Sequence, residues 1–109
     1  MPPANLKQWL AYIEASHSQE IDLGLERIIS AARVLGATQI RHPVVTVAGT
    51  NGKGSTIAYM TEILTTAGYR VASYTSPHFI NYNERICING KPVDDQRLCS
   101  SFQRVEQAR

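Results

Sequence analysis

An α/β fold, in which helices cross over a parallel sheet, is the class that this 109-residue sequence predicts. A β-branched run, "VVTVA" at 44–48, ends abruptly in the glycine-rich stretch "GTNGKGS". Apolar residues then recur at helical spacing as far as Ala67, and "YRVASYT" at 69–75 returns to strand composition. Strand, loop, helix and strand within about 30 residues make a βαβ unit. A run apolar nearly throughout suits a strand covered on both faces of a parallel sheet.

The elements around this unit follow in order. Leu6, Trp9, Leu10 and Ile13 keep the i, i+3, i+4, i+7 spacing of one helical face, with Asn5 as its cap. "SHSQEIDLG" at 16–24 breaks the period and reads as a loop. Leu25, Ile28, Ile29, Ala32 and Leu35 line a second helix, which Gly36 is placed to end in a left-handed turn. His42-Pro43 resists helix, because proline pushes its predecessor toward extended geometry. Beyond the glycines, Ile57, Met60, Leu64 and Ala67 mark a third helix with Gly68 as its stop. "TSPHFINYNERICINGKPV" at 75–93 is irregular at first and then alternates, with Asn89-Gly90 as a tight hairpin turn. The final stretch opens on Asp94 and Asp95 and carries the stripe Leu98, Phe102, Val105 of a last helix. Doubly wound sheets contain more strands than one crossover supplies. The chain is therefore expected to be the front portion of a larger domain.

Composition narrows the function classes. Hydrophobic residues make up 43% and charged residues 18%, ordinary for a globular protein. A net charge of +2 is too small to imply nucleic acid or an anionic membrane. No apolar stretch approaches the roughly 20 residues that span a bilayer. The start is polar where a signal peptide would be apolar, so a cytoplasmic protein is expected. Cys87 and Cys99 lack a CxxC spacing and read as free thiols.

The glycine loop carries the chemistry. Between a strand and a helix N-terminus, unpaired N–H groups and the positive end of the helix dipole form an anion site. Gly49, Gly52 and Gly54 let the backbone approach an anion closely. Lys53 supplies an ammonium for the β- and γ-phosphates of a nucleoside triphosphate, each charge-assisted hydrogen bond contributing about 1.5–3 kcal/mol. Ser55 or Thr56 offers a hydroxyl to Mg²⁺ or to a phosphate oxygen. The strict Walker pattern is not matched, since it needs glycine where Val47 stands and Ser or Thr where Gly54 stands.

"GTNGKGS" at 49–55 resembles the ATP-binding loop of the Mur ligase superfamily, which departs from the Walker form in the same way. "AGYRVASYTSPHFINYNERICING" at 67–90 and "IDLGLERI" at 21–28 resemble one branch of it, the bifunctional dihydrofolate synthase/folylpolyglutamate synthases. The resemblance implies an enzyme that uses ATP and Mg²⁺ to phosphorylate a carboxylate of dihydropteroate or folate. The amino group of L-glutamate then displaces phosphate from the acyl phosphate. Carried over residue by residue, Gly49, Thr50, Asn51, Gly52, Lys53, Gly54 and Ser55 bind ATP phosphates, with Lys53 also catalytic. Ser76 matches the serine that the family uses as a Mg²⁺ ligand, and Ile21, Asp22, Leu23 and Gly24 match a loop that approaches the pterin substrate. The family's catalytic domain continues with a glutamate and a histidine for the metal sites, and a C-terminal domain follows it. Residues 1–109 thus correspond to the N-terminal portion of the ATP-binding, Mur ligase central-type domain. That implies a P-loop-type parallel sheet preceded by two helices, in a truncated form, a proteolytic fragment or the product of a broken gene. The chain alone is expected to be inactive, and its parent monomeric, with small-molecule substrates and no nucleic-acid or membrane partner.

Other residues have plainer readings. His78 adjoins Ser76 and either serves the phosphates or hydrogen-bonds locally; His17 and His42 read as a solvated and a structural histidine. Glu84-Arg85 reads either as a carboxylate that orients a neighbouring side chain or as a local ion pair bracing the hairpin. Asp94 and Asp95 fit a helix start better than a metal site, and Trp9 fits a core. Two alternatives stay open: a Mur-type peptidoglycan-precursor ligase, and a non-ligase P-loop nucleotide-binding module.

Overall fold

The computed structural model describes residues 2–16 and 25–109. They fall into two compact units, one comprising the chain up to Pro43 together with Asp95–Arg109, the other Val44–Asp94. None of the described helices is long and apolar enough to cross a membrane.

The first unit is helical. Helix α1 spans Leu6–Ser16, α2 Glu26–Leu35 and α4 Asp95–Ala108, and α4 packs against both of the others. Asn5 caps α1 as expected, its Oδ1 accepting the N–H of Gln8 at 2.9 Å. Helix α2 ends at Gly36 with φ 72°. The Gly36 N–H donates to Arg33 O at 3.1 Å and the Ala37 N–H to Ala32 O at 2.8 Å, the paired bonds of a Schellman turn. The apolar stripes converge on Trp9, Leu98 and Ala108, which are 5%, 2% and 8% exposed. Trp9 meets Tyr12 edge-on and Phe102 at a tilt, each with ring centroids 5.9 Å apart. It is a core residue, as the sequence suggested.

The second unit contains helix α3, Lys53–Thr66, and strands β1 (Ala72–Tyr74), β2 (Ile86–Ile88) and β3 (Lys91–Pro92). Gly68 ends α3 at φ 95°, with its N–H on Thr65 O and the Tyr69 N–H on Leu64 O, both at 3.0 Å. The strands form one sheet in the order β1-β2-β3, antiparallel throughout. Asn89 (φ 52°) and Gly90 (φ 80°) make the tight turn between β2 and β3 that the Asn-Gly pair predicts.

The sheet differs from the expected βαβ pairing. Residues 44–48 join no strand ladder among the described residues, and Val44 and Val45 are 64% and 63% exposed. The expected strand at 69–75 is shorter and pairs antiparallel with β2, Tyr74 opposite Ile86 and Ala72 opposite Ile88. The reason is physical: composition marks a segment as able to be a strand, but a ladder needs a partner, and β2 is close at hand in sequence. The coarser expectation holds, helices with a small sheet and two helices ahead of the glycine loop.

Candidate functional site

The glycine loop leads directly into α3. Gly52 stands at the helix N-cap in the left-handed region, φ 78° and ψ 6°. Gly49 has φ 151°. Residues with a Cβ rarely adopt either conformation, so glycine at these two positions is set by the backbone. Gly54 is different: it lies within the helix without a positive φ.

The helical ladder begins with the Thr56 N–H donating to Gly52 O at 2.9 Å. The N–H groups of Lys53, Gly54 and Ser55 precede that ladder, as the opening amides of any α-helix must. The Thr56 hydroxyl also donates to Gly52 O, at 2.8 Å. Thr56 thus directs its hydroxyl proton into the helix cap, while its oxygen lone pairs stay available. The head of a 14-residue helix, with Lys53 as its first residue and glycines before and after it, offers amides, a dipole and a cation to an anion.

Ser76 lies just past β1, in a loop joined to Pro77 by a cis peptide bond. Two adjacent residues of the following 3₁₀ turn, Tyr82–Arg85, hold this loop. The Glu84 carboxylate accepts three consecutive backbone N–H groups: Phe79 at 2.9 Å, Ile80 at 3.0 Å and Asn81 at 2.7 Å. Arg85 Nε donates to His78 Nδ1 at 2.9 Å, and its guanidinium carbon lies 5.0 Å from the Tyr82 ring centroid. His78 and Tyr82 themselves meet edge-on with centroids 5.6 Å apart. His78 thus makes the local hydrogen bond that one of its two readings expects. Glu84 and Arg85 do brace the hairpin, but through backbone amides and an imidazole.

Hydrogen bonds from the backbone N–H groups of Asn81 and Phe79, and more weakly that of Ile80, outweigh desolvation and hold the Glu84 carboxyl below the usual carboxylate range. A depressed folded pKa gives stabilisation that is complete above the unfolded value and is lost as pH falls through the folded one. The amide shifts of Phe79, Ile80 and Asn81 should thus titrate together in an ¹H–¹⁵N series, with a midpoint below that of an exposed glutamate. A midpoint at or above the ordinary glutamate value would contradict the clamp.

The clamp was the part missed in the sequence, although Asn81-x-x-Glu84 has the spacing at which an N3 glutamate reaches back to the N-cap amide. Ile21, Asp22, Leu23, Gly24 and His17 lie outside the described residues. Asp95 occupies the first turn of α4, where its charge suits the dipole. Among the described residues, no three His, Cys, Asp or Glu side chains cluster as a ready metal site. Cys87 and Cys99 are free thiols.

No protein-family model matches the chain. Individual proteins do. The Escherichia coli dihydrofolate synthase/folylpolyglutamate synthase is 45% identical over 104 residues, 95% of this chain and 25% of that protein. The crystal structure of the bifunctional Yersinia pestis enzyme, complexed with AMPPNP and Mn ion, superposes with a TM-score of 0.91 at 40% identity. That match covers 99% of this chain and 27% of that one. The Escherichia coli enzyme FolC in complex with DHPP and ADP superposes with a TM-score of 0.89 at 44% identity, covering 96% of this chain and 25% of that one. The chain spans about a quarter of the length of these proteins. In sequence and in fold alike, the chain is similar along nearly its whole length to about a quarter of the dihydrofolate synthase/folylpolyglutamate synthases.

Proposed function

We propose that this chain is the nucleotide-gripping portion of an ATP-dependent carboxylate–amine ligase of folate biosynthesis. Such an enzyme adds L-glutamate to dihydropteroate, to folate polyglutamate tails, or to both. The observation that carries the reading is the left-handed Gly52 at the head of α3, with Lys53 next to it and amides ahead of the helical ladder. Its relatives' complexes with AMPPNP, Mn ion, ADP and DHPP support the ligands. In this reading residues 1–109 form the N-terminal portion of a Mur ligase central-type domain, whose parallel sheet would take 44–48 as one strand. The exposed valines there would then be covered by strands and helices from the part of the enzyme that this chain does not match. The parent works in the cytoplasm as a monomer on small-molecule substrates.

The chemistry asks little covalent work of the protein. A substrate carboxylate oxygen attacks the γ-phosphorus of ATP, the bond to the β-phosphate oxygen breaks, and ADP leaves. The glutamate amine then attacks the acyl carbon, and phosphate departs as the amide forms. Gly49–Ser55 would hold the polyphosphate through backbone N–H groups, with Thr50 and Asn51 in the turn. Lys53 would meet the charge that gathers on the transferring phosphoryl group. Ser76 has a hard oxygen suited to Mg²⁺, an ion that keeps waters and phosphates for most of its other positions. When bound, Mg²⁺ neutralises phosphate charge. Ile21–Gly24 would approach the pterin.

Two measurements test this reading. Isothermal titration of the 109-residue chain with ATP and Mg²⁺ should show binding, and no binding would overturn it. With ATP, dihydropteroate and glutamate, the chain alone should form no product above blank, because it spans about a quarter of an active relative. A separate variant probes the loop. A Cβ at Gly54 would meet no atom within 4 Å, and alanine is a better helix former than glycine by up to about 1 kcal/mol. Gly54→Ala should therefore raise stability in urea while weakening ATP binding, because its methyl group occupies space the phosphates need. Raised stability with unchanged affinity would count against close approach at that position.

A further inference from the structure

We propose that Glu84 is a positioning residue: together with Arg85 it brackets loop 76–81 and presents the Ser76 hydroxyl to a divalent cation in a single geometry. The cation half of this inference rests on the nucleotide reading above; the bracket does not.

The loop leaves β1 at Thr75, whose N–H donates to Arg85 O at 2.9 Å. His78 is held by Arg85 Nε, and Phe79, Ile80 and Asn81 by the two oxygens of Glu84. Ser76 and Pro77 lie between these anchors. What the loop lacks is apolar anchorage: Phe79 is 96% exposed and Ile80 82% exposed. Burial therefore does not order this segment, and the polar bracket takes over that task.

The chemistry of the bracket requires a carboxylate. An ionised carboxylate only accepts, with two oxygens and about four lone-pair directions, enough for three converging N–H groups. A glutamine has one acceptor oxygen, and its NH₂ would face N–H donors at the other. An aspartate keeps the charge but is one methylene shorter. The adjacency of Glu84 and Arg85 explains why this dipeptide follows Ser76-Pro77-His78 at a short interval: both ends of the bracket come from one 3₁₀ turn leading into β2.

The test compares wild type, Glu84→Gln and Glu84→Asp in the full 109-residue chain. Without ligand, ¹⁵N relaxation should give wild-type order parameters at Ser76, His78 and Ile80 near the rigid value of about 0.85, falling below about 0.6 in Glu84→Gln. Spectra of the helical unit should stay superimposable, which separates loop release from unfolding. Order parameters at Ser76 that do not change in either variant overturn the bracket, whatever the chain binds. With Mn²⁺ and ATP as the probe, electron paramagnetic resonance should show metal-dependent affinity weakened about ten- to a hundredfold in Glu84→Gln. Binding of ATP without metal should be unchanged, and Glu84→Asp should recover part of the loss. Equal Mn²⁺–ATP affinity in a variant whose loop has loosened overturns the positioning role. If the wild-type chain binds no nucleotide, the functional reading falls, and the relaxation data decide the bracket by themselves.

Discussion

Replacing Lys53 with alanine should lower the affinity of the chain for ATP by about ten- to a hundredfold, the equivalent of losing one charge-assisted hydrogen bond of about 1.5–3 kcal/mol. The loss should be almost entirely electrostatic. Lys53 is exposed and opens α3, so removing its side chain costs the fold little; alanine is itself a good helix former. The comparison that isolates the charge is Lys53→Met, which keeps the length of the stem and should bind as weakly as Lys53→Ala. Lys53→Arg keeps the charge but exchanges a compact ammonium for a planar fork, and should recover only part of the affinity. Salt provides a second check. Wild-type affinity should fall with ionic strength more steeply than that of Lys53→Met, because the variant has one fewer charge to screen. Fluorescence titration with a labelled ATP analogue at several salt concentrations measures both. An affinity unchanged in Lys53→Met would remove the lysine from the site and leave only the helix N-terminus to bind the anion.

What could be read in the sequence was what is decided locally. Gly36, Gly68 and the Asn89-Gly90 pair all mark places where the chain turns through positive φ, and few other residues do so cheaply. Asn5 was legible for a similar reason: its side chain completes a cap within its own first turn. The glycine loop belongs to this class, since its helix N-terminus is made by neighbours in sequence. The pairing of 44–48 does not, because a strand's partner can lie anywhere along a chain, and a β-branched run does not name it. Ser76 was singled out only through a resemblance, since one serine before a proline has no chemistry of its own that marks it. The Glu84 clamp sat between these cases. Its spacing to Asn81 was visible, but the two further amides it collects depend on the path of a loop that no local rule specifies.

Trp9→Ala should destabilise the helical unit by about 3–5 kcal/mol, the range for truncating a large aromatic residue in a core. Few side chains carry this unit. Among the described residues only Trp9, Leu98 and Ala108 are buried, all three in the unit made by α1, α2 and α4. Trp9 is the only aromatic among them, and it also holds Tyr12 and Phe102 at its ring. Partial collapse cannot offset the loss cheaply. A hollow of about 190 Å³ already lies beside the indole, lined by Tyr12, Ile13, Phe102 and Val105, among others. Truncation would enlarge that hollow and strand the atoms around it without contacts. The expected loss approaches the whole stability of a small domain, about 5–15 kcal/mol, so the far-UV circular dichroism of the variant should show a urea midpoint far below that of wild type. Trp9→Phe keeps much of the ring volume and should sit between the two. Because the glycine loop belongs to the other unit, residual ATP affinity in Trp9→Phe separates the two roles: nucleotide binding unaltered by a weakened helical core means that Val44–Asp94 carries the site by itself.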